Sequence, residues 1–407
     1  MRVGKFSVPC FRTCRFARKI RGFPTFDGVD VKPTWDIFCT VVDNYGDIGV
    51  TWRLARQLAH EHDLHVRLWV DDLSAFARLC PEADSQVLQQ WQQGVHVLHW
   101  GSPWIEVEPG AVVIGAFGCS LPEAYVGALR MPVEPVLWLN LEYLSAEAWV
   151  DGCHGLMSPQ TGGLRRWFFF PGFTERTGGL LREGSLLTRR AAFVADPLAR
   201  QRFLEGLGVR PGADARLISL FAYENPQLGA WFDAMAAGAQ ACHVLVPEGR
   251  ILADVRAWLG EPELTVGDTR QRGALTVQVL PFVSQDDYDR LLWCCEFNAV
   301  RGEDSFVRAQ WAGGLLLWNI YVQEENAHWE KLEAFLQRYC QGLAAEAGAA
   351  LSQLWRAWNM DQDMAQAWQA VQPHWRTLSE HAERWRAEHA VRPDLATALV
   401  QFYRNWL

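Results

Sequence analysis

The 407-residue sequence predicts two doubly wound α/β domains in tandem, on three observations. Short apolar runs of strand length alternate with amphipathic helical stretches, the pattern of parallel sheets covered by helices on both faces. The alternation halts in the polar stretch 183–213 and restarts at residue 215. The chain is also longer than one hydrophobic core usually serves.

The elements follow in order. "WDIFCTVV" (35–42) is a buried strand, and "VTWRLARQLAHEH" (50–62) is an amphipathic helix with Leu54 and Leu58 one turn apart. "HVRLWVDD" (65–72) is a strand with a helix near 73–80 after it, and "GVHVLHW" (94–100), "AVVIGAF" (111–117) and "PVLWLNLEY" (135–143) are further strands. The aromatic run Phe168–Phe173 with Gly178 and Gly179 suggests a loop-rich segment. In the second half the strands are 215–223, 242–249, 274–283, 296–302 and 315–321, with helices over 226–238, 285–295 and 305–313. Residues 325–407 are helical in pattern and rich in Trp, Gln and Ala. The expected organisation is a basic extension (1–34), a first domain (35–200), a second (201–375) and terminal helices that bridge the two (376–407).

Composition narrows the function. Apolar residues are 49% and charged residues 21%, which suits a packed globular protein. No apolar run approaches the ~18–20 residues needed to span a bilayer, so a soluble cytoplasmic protein is expected. Ten cysteines without metal-ligand spacing read as free thiols. His154, His243 and His328 are isolated, and His96 and His99 fall on opposite faces of a strand, so no metal site is expected. Residues 1–34 hold eight basic and two acidic side chains within a chain of net charge −9, leaving −15 for the rest. An acidic body argues against general nucleic-acid binding. The basic segment lacks an apolar signal-peptide core and reads as a disordered extension.

Two strand-to-helix corners carry unusual chemistry. "DNYGDIGVTW" has the context of a phosphate cradle but holds two carboxylates, Asp43 and Asp47, which would repel phosphate. One of them can be a helix N-cap. Two in one corner suit a cationic group, or a general base with an orienting acid. "NAVRGEDSFVRAQWAG" brings Arg301, Glu303, Asp304 and Ser305 to a second corner, where a helix N-terminus favours a diphosphate. There too Asp304 or Ser305 can be a cap, with Arg301 solvated. Phe221, Tyr223 and Phe282 lie at strand ends facing the cleft and can stack on a nucleobase, with Gln285 reading its edge; core burial is the competing reading for the aromatics.

Four strings, "WDIFCTVVDNYGDIGVTWRLARQL", "NLEYLSAEAWV", "FFFPGFTERTGGLLRE" and "RGEDSFVRAQWAGGLLLWNIY", together resemble the bacterial protein-arginine rhamnosyltransferases of elongation factor P, the EarP family. The resemblance runs from about Trp35 to the C-terminus. It implies a GT-B glycosyltransferase with two Rossmann-like domains, transferring rhamnose from dTDP-β-L-rhamnose to one arginine of elongation factor P. It further implies inversion, no metal and no cofactor, and a role in relieving ribosome stalling at polyproline. By the same resemblance the catalytic acids fall on Asp43, Asp47 and Glu303. The nucleotide-sugar pocket falls on Phe221, Tyr223, Phe282, Gln285, Arg301, Asp304 and Ser305. A non-catalytic nucleotide-sugar-binding regulator on the same fold is the alternative. No nucleic-acid or membrane partner is expected.

Overall fold

In the computed structural model the described residues are 32–42, 45–130, 132, 134–322 and 326–407. Most of the basic extension, and Asp43, lie outside them. Residues 33–407 form one compact unit built around two sheets.

The first half contains β1 (Thr34–Cys39), α1 (Gly46–Glu61), β2 (His65–Val70), α2 (Leu73–Leu79), β3 (Gln89–Gln92), β4 (Val95–His99), β5 (Val112–Ala116), α3 (Glu123–Leu129), β6 (Leu137–Leu141), α4 (Val150–Cys153), β7 (Met157–Pro159) and β8 (Arg165–Phe169). Its sheet runs β3-β4-β2-β1-β5-β6-β8-β7, parallel except for the edge strands β3 and β7. Helices α5 (Leu186–Ala195) and α6 (Pro197–Gly206) follow the crossing to the second half. That half contains β9 (Arg216–Leu220), α7 (Leu228–Ala236), β10 (Cys242–Pro247), α8 (Leu252–Leu259), β11 (Thr269–Arg272), β12 (Leu275–Leu280), α9 (Gln285–Cys294), β13 (Phe297–Arg301), α10 (Asp304–Ala312) and β14 (Leu315–Asn319). Its sheet runs β11-β12-β10-β9-β13-β14, with only β11 antiparallel. The chain ends in α11 (Ala327–Tyr339), α12 (Ala345–Asn359), α13 (Met364–Val371), α14 (Trp375–Ala390) and α15 (Leu395–Trp406). Two Rossmann-like halves with a cleft between them make this a GT-B fold.

The parallel strands are largely apolar because both sheet faces are covered; β5, β6, β10, β13 and β14 have no exposed residue. β1 is central in its sheet, with β2 on one side and β5 on the other. β9 has the same place between β10 and β13. Strand order reverses at these two positions, and the loops leaving them open the crevices where such folds bind ligands. Asp36 is the exception within β1. It is fully buried and accepts hydrogen bonds from Arg67, Trp69 Nε1, the Gly110 N–H and the Tyr125 hydroxyl, so its charge is spent on structure.

Three local expectations are corrected. The aromatic run taken for loop forms β8 as far as Phe169, because it completes the sheet beside β6. The polar stretch 183–213 holds α5 and α6, whose apolar side chains Phe193 and Phe203 pack against the buried cluster that includes Leu291 and Cys294 of α9. The first helix starts at Gly46 rather than at 50. At the far end, α14 packs on α10 and β14, whereas α15 packs on α1, with Tyr403 edge-on to Trp35 at 5.6 Å.

Candidate active site

The corner between β1 and α1 places Tyr45 at the N-cap position and Asp47 in the first helical turn. Asp47 is not the cap. It is 4% exposed, and its Oδ2 accepts from the Val42 N–H at 3.0 Å, which closes the loop back onto the strand. At the β13–α10 corner the N-cap position belongs to Glu303, and its side chain makes no capping bond. Asp304 and Ser305 lie inside α10, and the Ser305 hydroxyl donates to the Arg301 carbonyl. The capping expectation therefore fails for all three. The corner itself turns on Gly302, whose φ of +60° suits a residue without Cβ.

Asp47 and Glu303 come from different halves and line one solvent-open cavity with Phe117, Tyr143, Tyr321 and Lys331. Glu303 is held from both sides. Its Oε2 accepts from the Leu144 N–H at 3.0 Å and its Oε1 from Lys331 Nζ at 3.1 Å. Burial pushes the Glu303 carboxyl above its ordinary range; Lys331 and the Leu144 N–H pull it back, while the Asp47 charge pushes it further up. Lys331 is thus the cation that lets two carboxylates face one space. In Lys331→Met, Glu303 will hold its proton to higher pH, and the acidic limb of the pH–rate profile will move upward. A profile coincident with the parent's would show that Glu303 ionisation does not govern the rate.

A second solvent-open cavity adjoins the first, sharing Gly46 and Gly302 with it. Phe221, Phe282, Gln285, Arg301, Asp304 and Ser305 line it. Arg301 is 5% exposed, and its guanidinium carbon lies 4.7 Å from the ring centres of both Phe221 and Tyr223. Tyr223 thus sets the position of Arg301 rather than lining the cavity. Two side chains are differently engaged from what their place in the sequence suggests. The Gln285 amide donates to the Gly49 carbonyl at 3.1 Å and accepts from Arg56 at 2.9 Å, so it bridges the cavity to α1. Asp304 pairs with Arg53 at 2.9 Å. Tyr45 and Leu79 from the first half close the cavity, the Tyr45 ring lying 5.2 Å from that of Phe282.

Behind both cavities lies a buried charge network. Arg53 on α1 is fully buried and pairs with Glu183, Asp289 and Asp304, while Arg308 pairs with Glu183 and Asp289. Burial and the neighbouring Arg308 oppose the Arg53 charge, yet the three carboxylates hold its pKa above the ordinary value. Burial alone would raise the Glu183 carboxyl, but Arg308 and Arg53 hold it well below the usual range.

Lys331, Phe117, Tyr143, Tyr45 and Arg53 were not singled out from the sequence. Tyr45 sits between the two aspartates of the first corner, which was a usable signal; the other four are brought to the site by tertiary packing alone. Among the described residues no group of His, Cys, Asp and Glu is arranged to hold a metal ion, and no helix is long and apolar enough to cross a membrane.

Comparison with known proteins places these features in context. Residues 35–404 match the family model "Elongation-Factor P (EF-P) rhamnosyltransferase EarP". A protein-arginine rhamnosyltransferase of Pseudomonas putida is 68% identical over 93% of this chain and all of its own. The Pseudomonas aeruginosa protein of the same description is 58% identical over 92% of this chain and all of its own. A solved structure described as the structural basis for EarP-mediated arginine glycosylation of translation elongation factor EF-P is 54% identical, with a TM-score of 0.68 over 92% of this chain and all of that one.

Proposed function

The chain belongs to the EarP family of protein-arginine rhamnosyltransferases, and from that premise we propose that its two adjoining cavities hold an acceptor arginine of elongation factor P and the donor dTDP-β-L-rhamnose. One observation carries the assignment. A cavity floored by carboxylates and a cavity with Arg301 at a helix N-terminus meet at Gly46 and Gly302. The first suits a guanidinium and the second a diphosphate. A reacting nitrogen and a reacting anomeric carbon are then brought together where the two spaces join.

The chemistry follows from the acceptor. An arginine guanidinium has a pKa above ~12 and no useful lone pair at neutral pH. A carboxylate must take a proton as the bond from nitrogen to the anomeric carbon forms. Asp47 is the base in this proposal. Glu303, anchored by Lys331 and the Leu144 N–H, binds the guanidinium from the opposite side. Asp43 lies outside the described residues; the family resemblance puts a catalytic acid there, and orienting the guanidinium is the role assigned to it in this proposal. As the new bond forms, the bond from the anomeric carbon to the diphosphate breaks on the opposite face, so configuration inverts. Arg301 and the N-terminus of α10 stabilise the departing dTDP without a metal ion. Phe221 and Phe282 supply the apolar walls for the thymine and sugar. Transfer to a translation factor places the enzyme in the cytoplasm.

The test is mass spectrometry of folded elongation factor P incubated with the enzyme and dTDP-β-L-rhamnose. One deoxyhexose should appear on one arginine, and EDTA should not reduce its yield. An isolated peptide around that arginine should be a poor substrate. No mass gain on the intact, folded factor would overturn the assignment.

A further inference from the structure

Phe117 directly follows β5, at the carboxyl edge of the first sheet, with φ +56°. A bulky aromatic residue rarely adopts this left-handed conformation. Its neighbour Gly118 has φ +73° at no such cost. The turn is pinned on both sides: the Phe117 N–H donates to the Leu141 carbonyl at 2.7 Å, and the Cys119 N–H to the Ala116 carbonyl at 3.1 Å. The distortion fixes the direction of a ring. Phe117 stacks on Tyr143 with ring centres 4.7 Å apart and planes 22° apart. Both rings line the cavity that also holds Asp47 and Glu303. Tyr143 already faces one cation, since Lys331 Nζ lies 5.3 Å from its ring centre.

The geometry points to Phe117 as a specificity-determining residue of the acceptor cavity, its ring and that of Tyr143 forming the wall against which the acceptor guanidinium lies. The inference rests on the assignment of this cavity to an arginine. A planar guanidinium offers a face that stacks on aromatic rings and an edge that forks onto carboxylates, and a lysine ammonium offers neither. An aromatic wall above a carboxylate floor therefore recognises both surfaces of arginine at once. Strain kept at a cavity wall is most simply understood through the side chain it positions.

Phe117→Gly tests this directly, because glycine accepts the backbone angle and removes the ring. The variant should bind dTDP as well as the parent does. Its KM for elongation factor P should rise roughly 2- to 30-fold, the range of a guanidinium–ring contact. Phe117→Leu keeps apolar bulk without a π face and should show the same rise even if the glycine variant proves less stable. Phe117→Tyr should restore the parent KM. An unchanged acceptor KM in the leucine variant, or weakened dTDP binding in place of it, would overturn the inference. Absence of transfer by the parent enzyme would instead overturn the assignment beneath it.

Discussion

Asp47→Asn will lower the rate of rhamnosyl transfer about 10²- to 10⁴-fold, the contribution typical of a general base. The substitution is a narrow one. Asparagine keeps the shape of the side chain and an oxygen that can accept from the Val42 N–H, so the loop between β1 and α1 keeps its closure. What disappears is the negative charge and the capacity to take a proton. The cavity that holds Arg301 and Ser305 is lined by a different set of side chains, so affinity for dTDP should be retained. The measurements are the initial rate of deoxyhexose transfer by mass spectrometry and dTDP binding by calorimetry. A rate within about tenfold of the parent would remove Asp47 as the base and shift attention to Asp43. Loss of dTDP binding would mean that the two cavities are not separable.

The architecture was legible because most parallel strands are buried on both faces and are written as largely apolar runs, as in "AVVIGAF" and "LLLWNIY". The gaps have physical reasons. β8 was obscured because its aromatic residues lead straight into Pro171 and Gly172, which read as loop. α5 and α6 were obscured by polarity, since they show much of their surface to solvent; yet Asp196 before Pro197 is a helix-start signal, and Asp196 does cap α6. The two glycine corners stood out because acids and an arginine gather where strand order reverses. Sequence spacing could not say which way each polar side chain turns. Gln285 and Asp304 sit beside Arg301 and Ser305 at the same cavity, but both reach across to α1. That choice is made by Arg53 and Arg56, more than two hundred residues away in sequence.

Arg53→Met should be the most destabilising of these substitutions, and it should also impair catalysis. In the parent, two guanidinium groups are shared among Glu183, Asp289 and Asp304 in the interior. Methionine fills part of the volume but takes the ion-pair partner from Asp304 and leaves Glu183 and Asp289 to Arg308 alone. Breaking a buried pair by removing one partner costs about 3–5 kcal/mol, because the remaining charge stays buried without compensation. For a chain of this size the melting temperature should fall by about 4–6 °C. Arg53→Lys should rescue little, since one ammonium group cannot fork onto carboxylates from three elements. Acid gives an independent check on the cause. Glu183, with its pKa depressed in the folded state, contributes stability above its unfolded value of about 4.3 and loses it as pH falls toward the depressed value. The stability gap between parent and Arg53→Met should therefore be full at neutral pH and shrink below about pH 4. A gap independent of pH would assign the loss to packing rather than charge. The catalytic consequence follows from position: Arg53 lies on the helix that carries Asp47, and its partner Asp304 lies on the helix that follows Glu303. Without that tie the two acids no longer share a fixed separation, and the acceptor KM should rise even at temperatures where the variant remains folded.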